Sequence, residues 1–193
     1  MITLTVLAIL IMGTLPLAQN SVRRQRENRL RETLRQVRTA IDEFKRDTLG
    51  ACPAGAITTG DPTRRDSGTN VPSDPRSRVV IDECTIFDNE NLDRYPPDLD
   101  VLVNGVKVRQ RGMNATAAGG VFGENATDLN ATDEIVKAYL RQMPIDPMTG
   151  ESDWKLRSSY QEKDSESWDN INVFDIRSAS DEEGLNGVKY SDW

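Results

Sequence analysis

The sequence predicts an α+β fold: a long kinked N-terminal α-helix packed on a small antiparallel β-sheet, with long loops between the elements. Three observations predict it. Met1 to Leu17, MITLTVLAILIMGTLPL, contains no charged residue and passes at once into Ser21-Val22-Arg23-Arg24-Gln25-Arg26-Glu27-Asn28-Arg29. Beyond that junction apolar residues recur at helical spacing. From Trp154 onward, short runs alternate apolar and polar residues, the period of strands with one covered face.

The first half of the helix, Met1 to Leu15, is apolar apart from its threonines and Gly13, and Pro16 interrupts it. A spanning helix needs about 20 apolar residues, so this run is a little short. A signal peptide would place a basic region before the run and small residues before the cut. Here no Lys or Arg precedes the run, and the nearest site is Pro16-Leu17-Ala18. In the second half Val22, Leu30, Leu34, Val37, Ile41 and Phe44 fall at spacings of eight, four, three, four and three, which line one helix face. That helix is predicted from Gln19 to Thr48, stopping at Gly50. The two halves make one rod kinked at Pro16. Residues 1–20 are its membrane or filament-core half, residues 21–49 its amphipathic half, and residues 50–193 the globular head.

A chain of 193 residues suits one domain with a modest core. Its formal net charge of −7 argues against general nucleic-acid binding, which needs a cationic face. The charge is uneven: arginines crowd Arg23 to Arg46, while the C-terminal stretch is rich in Asp and Glu, so head-to-tail attraction between copies is an expectation. There is no histidine, which removes Ser-His-Asp, Cys-His and His-metal chemistry. Acids are abundant everywhere, so paired carboxylates carry no signal for glycosidase work. No enzymatic activity is expected. The two cysteines, Cys52 and Cys84, are not in a CxxC. They read as one disulfide formed in an oxidising compartment, with two separate reduced thiols as the alternative.

Cys52 to Asn91 lacks periodicity apart from a short strand at Val79 to Ile81, and reads as a long loop stapled by the cysteines. Tyr95-Pro96-Pro97-Asp98 opens a short helix whose face is Leu99, Leu102 and Val103. Asn114 to Thr132 is a second loop with Asn-Ala-Thr sequons at Asn114, Asn125 and Asn130. These are glycosylation candidates on an outer face, or turn and cap residues. A short helix is predicted at Ile135 to Leu140, ended by the turn Met143 to Gly150. Strands are predicted at Trp154 to Tyr160, Ile171 to Ile176 and Gly187 to Ser191, with a loop from Gln161 to Asp169.

The apolar run with its proline, followed by the amphipathic segment, resembles the N-terminal helix of type IV pilins and type II secretion pseudopilins. Mature chains of that family begin with a Phe-Thr-Leu-Ile-Glu type sequence. Aligning the family's helix-kinking proline with Pro16 would put roughly six residues ahead of Met1, including that Glu and the prepilin peptidase site. The alternative alignment makes Met1-Ile2-Thr3-Leu4-Thr5 the mature start, with Thr5 in the Glu position. Tyr95 to Val103 is similar to the Tyr-Pro-x-x-Leu-x-x-Leu segment of major pseudopilins of the G type. Tyr139 to Gly150 resembles that family's Tyr-Leu-x-x-Ile-Pro-x-Asp-Pro-x-Gly turn before its sheet. The two loops fall outside the resemblance.

The resemblance also points to a calcium loop. Asp175 to Gly187 gathers carboxylates, amides and hydroxyls around glycines, the kind of oxygen set that calcium takes. In G-type pseudopilins an Asp just after a Ser-containing turn, and a second Asp a few residues later, hold the ion. Asp181 matches the first, with Ser178 before it, and the second position holds Asn186, a neutral amide. The alternative is a solvated acidic hairpin. The arginines Arg23, Arg24, Arg26, Arg29 and Arg31 read as a solvated helix face or as interhelix ion pairs. Trp154, Trp168 and Trp193 are scattered and suit core closure or subunit contacts.

The resemblance implies a structural subunit that polymerises with copies of itself through its N-terminal helix. Its partners would be minor pilins or pseudopilins, an inner-membrane assembly platform with its ATPase, and prepilin peptidase. It would wait in the inner membrane as a single-pass protein and end in a periplasmic or extracellular filament. The alternative is a single-pass, membrane-anchored periplasmic binding or enzymatic domain that never polymerises.

Overall fold

The structure, a computed structural model, describes residues 2–51, 76–110, 135–165 and 167–193, and for residues 2, 4–19 and 110 it describes the backbone alone. Helix α1 spans Ile2–Asp47 and continues through Pro16. Its 46 residues make a rod about 69 Å long at 1.5 Å per residue. It ends as the sequence predicts: the Thr48 N–H still donates to Phe44 O at 3.1 Å, and Gly50 takes the left-handed φ of 80° that stops a helix. Among the described residues no helix is long and apolar enough to cross a membrane.

The stripe on α1 is real but starts later than expected. Leu30, Leu34, Val37, Ala40, Ile41 and Phe44 are all buried, whereas Val22 is 51% exposed. The next stripe positions outward are acids, Glu27 at one end and Asp47 at the other, and both are buried.

The chain forms two compact units. The first, here the tail unit, comprises Met1–Val37, Pro144–Lys155 and Ile176–Trp193. The second, the sheet unit, comprises Arg38–Met143 and Leu156–Asp175.

The sheet unit is built on three antiparallel strands in the order β1 (Val79–Ile81), β2 (Val106–Gln110), β3 (Ile135–Lys137). Ile81 pairs with Val108, and Val108 in turn with Ile135. The strand predicted at Val79 to Ile81 is present. β2 was not anticipated, although Val106 and Val108 are buried with Lys107 exposed between them, a plain period-two signal. The helix predicted at Ile135 to Leu140 is instead strand β3. Six residues are too few for periodicity to separate helix from strand, and β-branched Ile135 and Val136 fit the ladder with β2. Beyond β3, the Tyr139 and Leu140 N–H groups both donate to Leu102 O at 2.9 Å.

Leu102 belongs to helix α2, Leu99–Asn104. Asp98, in the segment the sequence reads as opening this helix, caps it, its Oδ1 accepting from the Leu99 N–H at 2.6 Å, and Leu99 and Leu102 are buried. Phe44 sits edge-on to Phe87 and to Tyr139, with centroids 6.1 and 5.3 Å apart, so one aromatic from the stripe centres this core.

The C-terminal strands are shorter than predicted. β4 is Trp154–Arg157 and β5 is Asp175–Ser178, and the two pair as a two-stranded sheet. Ile171 to Phe174 does not extend β5. Asp169 Oδ1 accepts from the Ile171 N–H at 3.1 Å, Asn170 takes a left-handed φ of 59°, and buried Asn172 bonds the Ser159 N–H and Asn91. Side-chain amides there replace the ladder. The strand predicted at Gly187 to Ser191 is a single bridge between Glu183 and Lys189, followed by a 3₁₀ turn at Tyr190–Asp192.

Candidate functional site

In the tail unit the C-terminal segment locks onto α1 through a buried carboxylate. Glu27 is 5% exposed, and its Oε1 accepts from the Leu185 N–H at 2.7 Å and from the Tyr190 hydroxyl at 3.0 Å. Tyr190 is wholly buried. Burial pushes its hydroxyl pKa up; the Arg23 hydrogen bond works against this and Glu27 works with it. Arg23 Nε reaches the same hydroxyl at 3.3 Å, and its guanidinium also donates to Glu183 O. One turn beyond Glu27, the Arg31 guanidinium lies 4.4 Å from the centre of the Trp193 ring. Arg23, Glu27 and Arg31 recur every fourth residue and so form one row down the helix.

The tail can close this tightly because residue 184 is glycine. A Cβ there would stand 2.8 Å from Asn186 Oδ1 and 2.9 Å from the Trp193 ring. The turn Met143 to Gly150, predicted from sequence, is present. Asp146 is buried, its N–H and C=O bond Glu151 and Gly150, and its Oδ1 accepts from the Met148 N–H at 2.8 Å. Trp154 Nε1 donates to Pro144 O at 2.9 Å, so one of the scattered tryptophans closes this core.

The three calcium candidates all lie in this unit, and each has its side-chain oxygen committed elsewhere. Ser178 is fully buried and donates to Asp146 Oδ2 at 2.5 Å. Asp181 is paired with Lys155, Nζ to Oδ1 2.9 Å, and its carboxyl pKa is lowered first by that hydrogen bond. Asn186 Oδ1 accepts from the Val188 N–H at 3.2 Å. As they stand, the Asp181 carboxylate carries the Lys155 ammonium and Ser178 is buried. Among the described residues no group of three or more acids, cysteines or histidines is placed to hold a metal.

Cys84 is not a free thiol, and Cys52 lies outside the described residues. Asn114, Asn125 and Asn130 also lie outside them, and Pro16 is inside α1.

The sheet unit has a second buried carboxylate on α1, which the sequence reading did not single out. Asp47 is 1% exposed; its Oδ1 accepts from Ser77 Oγ at 2.7 Å, and its Oδ2 from Lys137 Nζ at 2.7 Å and the Tyr139 hydroxyl at 3.0 Å. Lys137 Nζ also lies 2.6 Å from Glu43 Oε1. Burial alone would lower the Lys137 pKa, but its hydrogen bonds to Asp47 and Glu43 outweigh that and raise it. The Tyr139 hydroxyl is pushed far up, first by burial and then by Asp47. The available signal was an acid at a position the apolar stripe would occupy, because acids are rarely buried without partners.

No family model, no curated protein and no solved structure matches this chain. The two buried carboxylates of α1, Glu27 and Asp47, hold neutral or cationic donors, an arrangement suited to fastening segments together.

Proposed function

We propose that the chain is a structural subunit of a type IV pilus-like or type II secretion pseudopilus filament, polymerising through α1. The observation that carries the reading is the uneven use of one helix. Of the 46 residues of α1, the buried positions among the described side chains begin at Glu27, while the sequence ahead of Asn20 contains no charge. A rod of about 69 Å is far longer than either unit needs for docking. Its first half calls for an apolar surrounding, and copies of the same rod supply one.

The subunit waits in the inner membrane with its head outside and is lifted by an ATPase-driven platform into a periplasmic or extracellular filament. Burial is worth about 25 cal/mol per Å² only where water is the alternative. For rods leaving lipid that gain largely vanishes, so packing, polar pairing and motor work supply the bias. The head is tightened by a Cys52–Cys84 disulfide. Negative-stain microscopy of sheared surface material tests the reading: fibres containing this chain are expected. A chain that stays a membrane-anchored monomer under native expression overturns it in favour of an anchored periplasmic domain.

A further inference from the structure

We propose that Asn186 is a site of spontaneous covalent modification, where the folded tail unit lets the side-chain amide convert to aspartate and isoaspartate. The tetrapeptide Asn-Gly-Val-Lys occurs twice in the chain, at 104–107 and at 186–189. Because the local sequence is the same at both places, a difference in rate between them belongs to the structure.

Both asparagines are exposed. Both glycines take a left-handed φ, 82° at Gly105 and 75° at Gly187, and both glycine N–H groups donate to a carbonyl at 3.0 Å, Val101 O and Gly184 O respectively. Neither exposure nor that hydrogen bond separates the two sites. Room around the glycine does. A Cβ on Gly105 would stand 2.8 Å from Lys137 O and 2.9 Å from Val136 Cγ1, so β3 presses on that stretch of backbone. The next residue, Val106, is buried and paired with Lys137 in the sheet. A Cβ on Gly187 would meet nothing within 4 Å, and Val188 is 41% exposed.

The chemistry needs that freedom. Hydroxide from solvent takes the Gly187 amide proton, and the nitrogen swings onto Asn186 Cγ. A C–N bond forms, the Cγ–Nδ2 bond breaks, and Nδ2 takes a proton from water and leaves as ammonia, which returns the hydroxide. Water then opens the succinimide at either carbonyl, to aspartate or to isoaspartate, and nothing is oxidised or reduced. The peptide unit must turn before its nitrogen reaches Cγ, so the clamped unit at 104–105 is held back and the open one at 186–187 is not. Asn186 Oδ1 also accepts from the Val188 N–H at 3.2 Å, which polarises the amide and steadies the oxygen charge that grows during attack.

The turn that would change is one that seats the tail. Its Leu185 N–H donates to buried Glu27, and its Gly184 N–H donates to Val188 O at 2.8 Å. Aspartate places a new carboxylate against Gly184, where Asn186 Oδ1 now lies. Isoaspartate adds an atom to the main chain between residues 186 and 187 and shifts the register of the turn. Conversion therefore loosens the C-terminal segment from α1, irreversibly and with the age of the molecule.

The test follows both sites in the full chain, held in detergent micelles in mildly alkaline buffer, by peptide mapping with isoaspartate detection. Folded, residue 186 is expected to convert roughly tenfold faster than residue 104, and in urea the two are expected to convert at matching rates. Conversion at 186 no faster than at 104 in the folded chain, or a lead at 186 that urea leaves intact, overturns the proposal. The aged chain is expected to exchange its Leu185 amide hydrogen roughly tenfold faster than the fresh chain. Asn186→Gln, whose longer side chain closes the ring far more slowly, is expected to keep the fresh rate. Full conversion with unchanged Leu185 exchange, or equal loosening of the aged Gln variant, overturns the link to the tail.

Discussion

The tail unit and the sheet unit solve the same problem differently. Each buries one carboxylate at an end of the α1 stripe. Glu27 is met by a backbone N–H and a phenol, whereas Asp47 is met by an ammonium, a phenol and a serine hydroxyl. A buried acid needs donors more than it needs a countercharge, but losing a countercharge leaves more behind. The difference implies that the sheet unit is the more sensitive to losing its acid and to alkaline pH. The tail unit is the more easily loosened, one hydrogen bond at a time.

The largest expected effect comes from Asp47→Ala. It strips a partner from Lys137, Tyr139 and Ser77 together, and should cost about 3 kcal/mol, the low end for a broken buried pair because Lys137 keeps Glu43. Urea unfolding followed by far-UV circular dichroism measures it; a loss under half that size would mean that Asp47 is not the centre of its network. Next is Gly184→Ala, whose new methyl meets Trp193 and Asn186 and should cost about 1–3 kcal/mol. Altered Trp193 fluorescence with an unchanged sheet-unit signal would place the damage in the tail unit.

Tyr190→Phe removes one of the two donors on Glu27 and should cost about 1–2 kcal/mol in the same melt. A cost equal to that of Asp47→Ala would abolish the contrast between the units. The pH dependence sharpens it further. Lys137 and Tyr139 both bind their protons more tightly when folded than at their ordinary values of 10.5 and 10.0. A raised folded pKa stabilises fully below the unfolded value and ceases to as pH rises through the folded one. The urea midpoint should hold to about pH 10 and fall above it, and Lys137→Met should shrink that fall. The smallest effect concerns the tail: melting should be the same with about 1 mM calcium as with chelator, since Lys155 already serves Asp181. A clear rise with calcium would mean that the lysine yields its place to the ion.

Much of this could be read from the chain. The end of α1 at Gly50, the opening of α2 at Asp98, the strand at Val79–Ile81 and the Met143 to Gly150 turn rest on residues whose own chemistry dictates the backbone: glycine at positive φ, a short acid at a helix start, β-branched pairs. Such signals are local, so sequence carries them. β3 was misread as helix because a six-residue run has no period long enough to decide, and it was settled by β2, a neighbour distant in sequence. The predicted strand at Gly187 to Ser191 gave way to a 3₁₀ turn because the Tyr190 ring had a buried seat to fill on α1.

By itself, then, the sequence determined one long helix, apolar in its first half and striped in its second, followed by an α+β head rich in turns. Periodicity and turn chemistry act between near neighbours and need no fold to be legible. The tertiary structure alone decided which acids are buried and what satisfies them. Glu27 and Asp47 look like any other charges on a polar rod until segments more than 25 residues away along the chain bring them a phenol, an N–H or an ammonium. Desolvating a carboxylate is tolerable only once those donors have arrived, and that condition is set by three-dimensional packing.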